Sequence, residues 1–126
     1  MRYLFIGLGG FVGSVLRYWL GGVVQPASPH VAFPLGTLVV NLLGCFAIGV
    51  VVQVIEARGV FHPNARVFIT IGLLGGFTTF SAFANETVNG FRDGLPLIAI
   101  LNLLLSVGLG LVAVWAGRAA VAGALR

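Results

Sequence analysis

From Val67 to Asn85 the chain carries no charged residue and is long enough to cross a bilayer, yet its middle reads GGFTTFSAF. A membrane span needs about 20 apolar residues in continuous helix, because lipid offers no partner to a free N–H or C=O. Adjacent glycines weaken a helix, and the hydroxyls of Thr78, Thr79 and Ser81 add desolvation cost. The sequence therefore predicts a third helix broken near its middle, at the Gly75-Gly76 pair. Such a break is stable only where the backbone is buried in protein, lines a polar cavity or holds an ion.

The rest of the chain supports a membrane reading. Of 126 residues, 59% are hydrophobic and 8% charged, too little charge to cover a water-soluble domain of this size. Mean hydropathy is +1.09. The pattern predicts an all-α integral membrane protein with one domain, residues 1–126, and four transmembrane helices at Tyr3–Val24, Leu35–Ile55, Asn64–Asn89 and Leu95–Ala122. Pro26, Pro29 and Pro34 mark the first connector, while Pro63 and Pro96 sit where the third and fourth helices start. The N-terminal apolar run reads as a first span rather than a cleaved signal.

Charge places the ends. Four spans put both termini on one side, with Arg2, Arg58, Arg66, Arg118 and Arg126 there, against Arg17 and Arg92 on the other. That bias predicts termini facing the cytoplasm. The sequence pI of 10.7 does not point to nucleic acid, because the arginines stand singly near span ends and form no patch. Cys45, the lone cysteine, cannot form an intrachain disulfide.

Small residues recur at helix-contact spacing: Gly9 with Gly13, Gly10 with Ser14, Gly72 with Gly76. They suit either packing within one subunit or a subunit interface. Polar residues also recur within the spans. Thr37 and Asn41 share one helix face, as do Asn102 and Ser106, and the third span adds Thr70, Asn85, Glu86 and Asn89 to its hydroxyl group. They could be hydrogen-bonding glue between helices, or together a narrow polar track across the bilayer.

No lysine occurs, and the acids Glu56, Glu86 and Asp93 lie at or near span ends. His30 and His62 fall in connectors and read as loop residues. Paired carboxylates, metal-ligand spacing and a nucleophile with its base are all missing, so no enzyme is expected. GLGGFVG near the start follows no strand and misses the dinucleotide-binding spacing. Carbonyls freed at the break would suit a hard cation such as Na⁺, and two breaks meeting at a twofold axis would close a cage. Phe80 and Phe83, three apart, share a face; ring edges favour an anion and ring faces a cation. The simpler expectation for each is core or lipid-facing packing.

Four blocks carry a family resemblance, one per span: GGFVGSVLRY at 9–18, GTLVVNLLGCFAIG at 36–49, GLLGGFTTFSAF at 72–83 and NLLLSVGLGLVAVWAG at 102–117. With them the sequence resembles the Fluc (CrcB) fluoride channels. The resemblance implies an antiparallel, dual-topology dimer with two pores and a central structural Na⁺ held by backbone carbonyls of Gly75 and Thr78. It implies pore roles for Phe80, Phe83 and Asn41, a polar track of Thr79, Ser81 and Ser106 joined by Asn102, and Glu86 near a pore mouth. Arg17 matches the family's arginine at the end of the first helix. Ser14, Phe77, Ala82 and Asn102 depart from the usual alanine, leucine, threonine and tyrosine.

The implied function is passive efflux of cytoplasmic fluoride through a bacterial inner membrane. Amide and hydroxyl donors and ring edges would replace the ion's water at weak, multiple sites. The second subunit would be another copy, or a homologue of opposite orientation, which the arginine bias leaves open. The chief alternative is a small proton-coupled multidrug exporter, which a mid-membrane carboxylate in the first span would have favoured. A structural subunit of a larger membrane complex is a third class.

Overall fold

A computed structural model describes residues 1–26, 30 and 32–126. Pro29, assigned above to the first connector, lies outside the described residues. Helix α1 runs Arg2–Val24 and α2 Leu35–Arg58. Five residues of helix, α3 (Pro63–Val67), lead into a π-helical turn, Phe68–Leu73, and then α4 (Leu74–Phe77). After Thr78 and Thr79 comes α5 (Phe80–Arg92), and α6 spans Pro96–Ala124. No strand occurs among the described residues. Four helical stretches are long and apolar enough to cross a membrane: Arg2–Val24, Leu35–Arg58, Pro63–Arg92 and Pro96–Ala124. Each predicted span is met within a few residues.

Helix ends follow the local chemistry. Pro63 and Pro96 open α3 and α6, where the missing N–H of proline has no intrahelical partner to lose. His62 is more than a loop residue: its Nδ1 accepts from the Asn64 amide at 3.2 Å and caps α3. Gly59 ends α2 at φ +60°, a conformation that glycine adopts without a Cβ clash. Between α1 and α2, Gln25 grips both sides of the connector. It donates to the Phe33 carbonyl at 3.3 Å and accepts from the Gly36 amide at 3.0 Å.

Two glycine seams hold the bundle. In the first, α1 lies directly on the opening half of the third span. A Cβ on Gly9 would sit 2.4 Å from the Phe68 carbonyl oxygen, and one on Gly76 would sit 2.7 Å from that of Gly10. The two small-residue faces thus meet each other inside one chain, the first of the two readings offered by their spacing. In the second seam a Cβ on Gly49 would stand 2.2 Å from the Val114 carbonyl, and one on Gly117 equally close to that of Phe46. Without side chains in between, α2 and α6 pack backbone to backbone. Large apolar residues outside these seams, such as Phe11, Trp19, Leu111 and Trp115, are exposed, as expected of a surface bathed in lipid.

Candidate functional site

The helical pattern of the third span stops after Phe77. Thr78 (φ −88°, ψ 156°) and Thr79 (φ −149°, ψ 117°) are extended, and α5 begins at Phe80. The interruption therefore falls two residues beyond the Gly75-Gly76 pair, both of which are helical in α4. The reason is packing. Gly76 gives up its side chain to admit α1, so its role is clearance rather than conformational freedom. The Thr78 hydroxyl bonds back to the Leu74 carbonyl at 2.9 Å, closing the last turn of α4.

Interrupting a helix frees carbonyls before the break and amides after it. Several find partners from other helices. Asn41 of α2 makes a two-pronged clamp on Thr79, donating from Nδ2 to its carbonyl at 3.0 Å and accepting at Oδ1 from its amide at 2.8 Å. The side-chain amide thereby stands in for a backbone neighbour. Arg17 of α1 donates from Nε to the Gly76 carbonyl at 3.1 Å. Its cation also complements the negative end of the helix that stops there. Arg17 thus lies within α1, two turns before its end, and is bonded inward to the third span. Thr79 caps α5, its hydroxyl accepting from the Ala82 amide at 3.2 Å. The carbonyls of Gly75 and Thr78 accept no hydrogen bond among the described residues.

Beside this segment lies a cavity of about 360 Å³ between α2, the third span and α6. Asn41, Gly75, Thr78, Thr79, Phe80, Phe83 and Ser106 all line it, so most residues singled out in sequence converge. Phe80 and Phe83 stack obliquely, centroids 5.6 Å apart and planes tilted by 58°. They differ in burial: Phe83 is 7% exposed and Phe80 is 79% exposed, at the open side of the chain. Ser81 is not in the lining; its hydroxyl lies 3.3 Å from that of Thr79.

Glu86 and Asn102 belong instead to a second cavity, of about 240 Å³, with Asn89 and Asp93. The polar residues therefore line two cavities, linked by the bond from Ser106 to Asn102. In the second, Thr37 donates to Glu86 Oε1 at 2.6 Å, while Glu86 Oε2 is buried without a partner among the described residues. Asn102, 2% exposed, donates to Thr87 at 3.0 Å and accepts from Ser106 at 3.2 Å.

Three contributors escaped sequence reasoning. Gly44 makes room for Thr78, since a Cβ there would lie 2.1 Å from the threonine methyl; it stands three residues after Asn41 on the same helix. Thr87 joins the Asn102 pair, and its distance of four residues from Phe83 was the available signal. Cys45 lines the first cavity, next to Gly44. No group of three His, Cys, Asp or Glu side chains arranged to hold a metal occurs among the described residues.

Comparison with known proteins agrees with the resemblance read from the four blocks. The profile of the family described as CrcB-like protein, Camphor Resistance (CrcB), matches residues 4–118. A Solibacter usitatus protein named fluoride-specific ion channel FluC is 46% identical over 117 residues, covering 93% of this chain and 95% of its own. A protein of the same name from Elusimicrobium minutum is 47% identical, over 92% of this chain and 90% of its own. Fluoride-specific ion channel FluC 1 of Methanosarcina acetivorans is 44% identical over 91% and 86%, respectively. Match length and identity together leave one assignment: the chain belongs to the CrcB family.

Proposed function

We propose that this protein is a fluoride-specific ion channel, not an enzyme, and that it passes fluoride out of the cytoplasm down its electrochemical gradient. The observation that carries the reading is the cavity at the interrupted third span, where the amide of Asn41, the first turn of α5 and the rings of Phe80 and Phe83 converge. Phe80, the first residue of α5, lines it, and the positive end of a helix dipole favours an anion. Asn41 keeps one N–H beyond the one it gives to Thr79. The tilted phenylalanines can offer ring edges, which are weakly positive. Each site is weak, which lets an ion leave as well as enter. Such donors discriminate against a larger anion because they converge at fixed positions.

The functional unit we propose is an antiparallel dimer in a bacterial inner membrane, its third helix broken within the bilayer and two pores formed between subunits. The exposure of Phe80 supports this: a pore ring left open on one chain is completed by another. The unpaired Gly75 and Thr78 carbonyls fit a structural sodium ion, since hard cations take oxygen ligands. They would hold it where two breaks meet, stabilising the pair. An exporter driven by protons is less consistent, because the described spans carry one carboxylate near the polar residues, Glu86, and it lies outside the first cavity.

The deciding experiment is efflux from liposomes holding the purified protein, read with a fluoride electrode against a matched chloride control. Fluoride release without chloride release is expected. Substrate uptake that requires a proton gradient, with no fluoride release, would replace this reading with the exporter.

A further inference from the structure

Between the two cavities runs a chain of hydrogen bonds with a definite direction. Ser106 donates to Asn102 Oδ1 at 3.2 Å, Asn102 Nδ2 donates to Thr87 Oγ1 at 3.0 Å, and Thr87 donates to the Phe83 carbonyl at 2.8 Å. A hydroxyl has one proton to give. Ser106 lines the first cavity, yet its proton is committed to Asn102, on the side of the second. What it turns to an ion in the first cavity is a pair of lone pairs, which repel an anion.

The amide of Asn102 can reverse this. Its oxygen and nitrogen are nearly the same size, and a half-turn of the amide exchanges donor and acceptor in place. Nδ2 then donates to Ser106, whose proton is free to enter the cavity. Thr87 completes the exchange by swinging its own proton from the Phe83 carbonyl to Asn102 Oδ1. The Phe83 carbonyl loses only an added bond, because α-helical carbonyls already accept from the amide four residues on. Each side chain of this hydrogen-bond chain stays paired in both arrangements, and this requires a residue at 87 that can accept in one and donate in the other. A hydroxyl does both. We propose that Thr87 is a positioning residue which, through Asn102, lets Ser106 turn from acceptor to proton donor when an anion occupies the cavity.

The inference rests on the fluoride reading and is tested within the same efflux assay. Four variants are compared with wild type: Thr87→Val, Thr87→Ser, Ser106→Ala and the Thr87→Val/Ser106→Ala double. Valine keeps the volume of threonine and removes the hydroxyl. Thr87→Val should slow fluoride efflux about fivefold to tenfold, the scale of one hydrogen bond. Thr87→Ser should restore it. The double variant should be no slower than Ser106→Ala, because Thr87 acts only through that hydroxyl. If Thr87→Val does not fold, Thr87→Ala takes its place in the cycle. Efflux at the wild-type rate in Thr87→Val, or losses that multiply in the double variant, would overturn the proposal in favour of plain packing. A wild type that conducts no fluoride fails differently, since it refutes the functional reading and this role with it.

Discussion

Replacing Gly13 by alanine tests the first glycine seam, and its outcome has a sign worth working out. In an unobstructed helix, glycine to alanine gains about 0.5–1 kcal/mol, because alanine loses less backbone entropy. At Gly13 the added Cβ would lie 2.1 Å from the Leu73 carbonyl oxygen and 2.8 Å from the Phe77 amide nitrogen. Both are backbone atoms and cannot rotate away. Ordinary contact begins near 3.4 Å, so α1 and the third span must separate by about 1.3 Å at that point. Forcing a packed interface apart costs about 1–3 kcal/mol, which outweighs the propensity gain. The Arg17–Gly76 bond crosses the same seam one turn away and would be stretched with it. Thermal unfolding of the purified protein in detergent reads the effect, with Gly7→Ala as the control, since no atom lies within 4 Å of a Cβ there. Gly13→Ala should melt well below wild type, and Gly7→Ala at or slightly above it. Equal melting of the two variants would refute the argument that clearance, rather than flexibility, selects glycine at this seam.

Other outcomes follow from the same geometry. Phe80→Ile should leave folding intact, because the ring is mostly exposed in the single chain, yet reduce fluoride efflux at least about tenfold, measured in liposomes. Asn41→Asp keeps the acceptor for the Thr79 amide but opposes the Thr79 carbonyl with oxygen. Both stability and efflux should fall, the former by about 1–3 kcal/mol in a denaturant titration. Arg17→Met leaves the Gly76 carbonyl without its donor and should cost a similar amount on the same assay, whereas Arg118→Ala, which removes an exposed pair with Glu56, should cost under about 1 kcal/mol. Exchanging sodium for a large organic cation should weaken subunit association if Gly75 and Thr78 hold Na⁺, and unchanged association in cross-linking would remove that site.

How much of this could be read from the amino-acid sequence depends on which force set each feature. The spans were legible because burial in lipid acts on long stretches, and Pro63 and Pro96 punctuate them. Residues at the first cavity were legible as types, since hydroxyls and an asparagine in an uncharged span stand out. The position of the interruption was not. Glycine composition points to Gly75-Gly76, but the packing of α1 and the clamp by Asn41 move it to Thr78 and Thr79. The π-helical turn at Phe68–Leu73 has no compositional mark at all, because it reflects how two backbones settle against each other. Nor could spacing divide the polar residues into two chambers. Asn102 and Ser106 share one helix face, and only the arrangement of α5 beside α6 decides that they line different spaces.

The interruption also changes what the third span is. Its opening half is seamed to α1, while its closing half, α5, packs on α6, with Gly90 against Ala99. One span thus packs on two different partners, and the first cavity lies beside the segment where it changes from one to the other. The spacing of the glycine seams is set by main-chain distances at Gly9, Gly13, Gly49, Gly72, Gly76 and Gly117, whose neighbours are backbone atoms. Carbonyl and amide radii are the same in every protein. Seams gauged by them are insulated from drift in the surrounding side chains, so the helices that carry the cavity-lining residues keep their spacing when those side chains change.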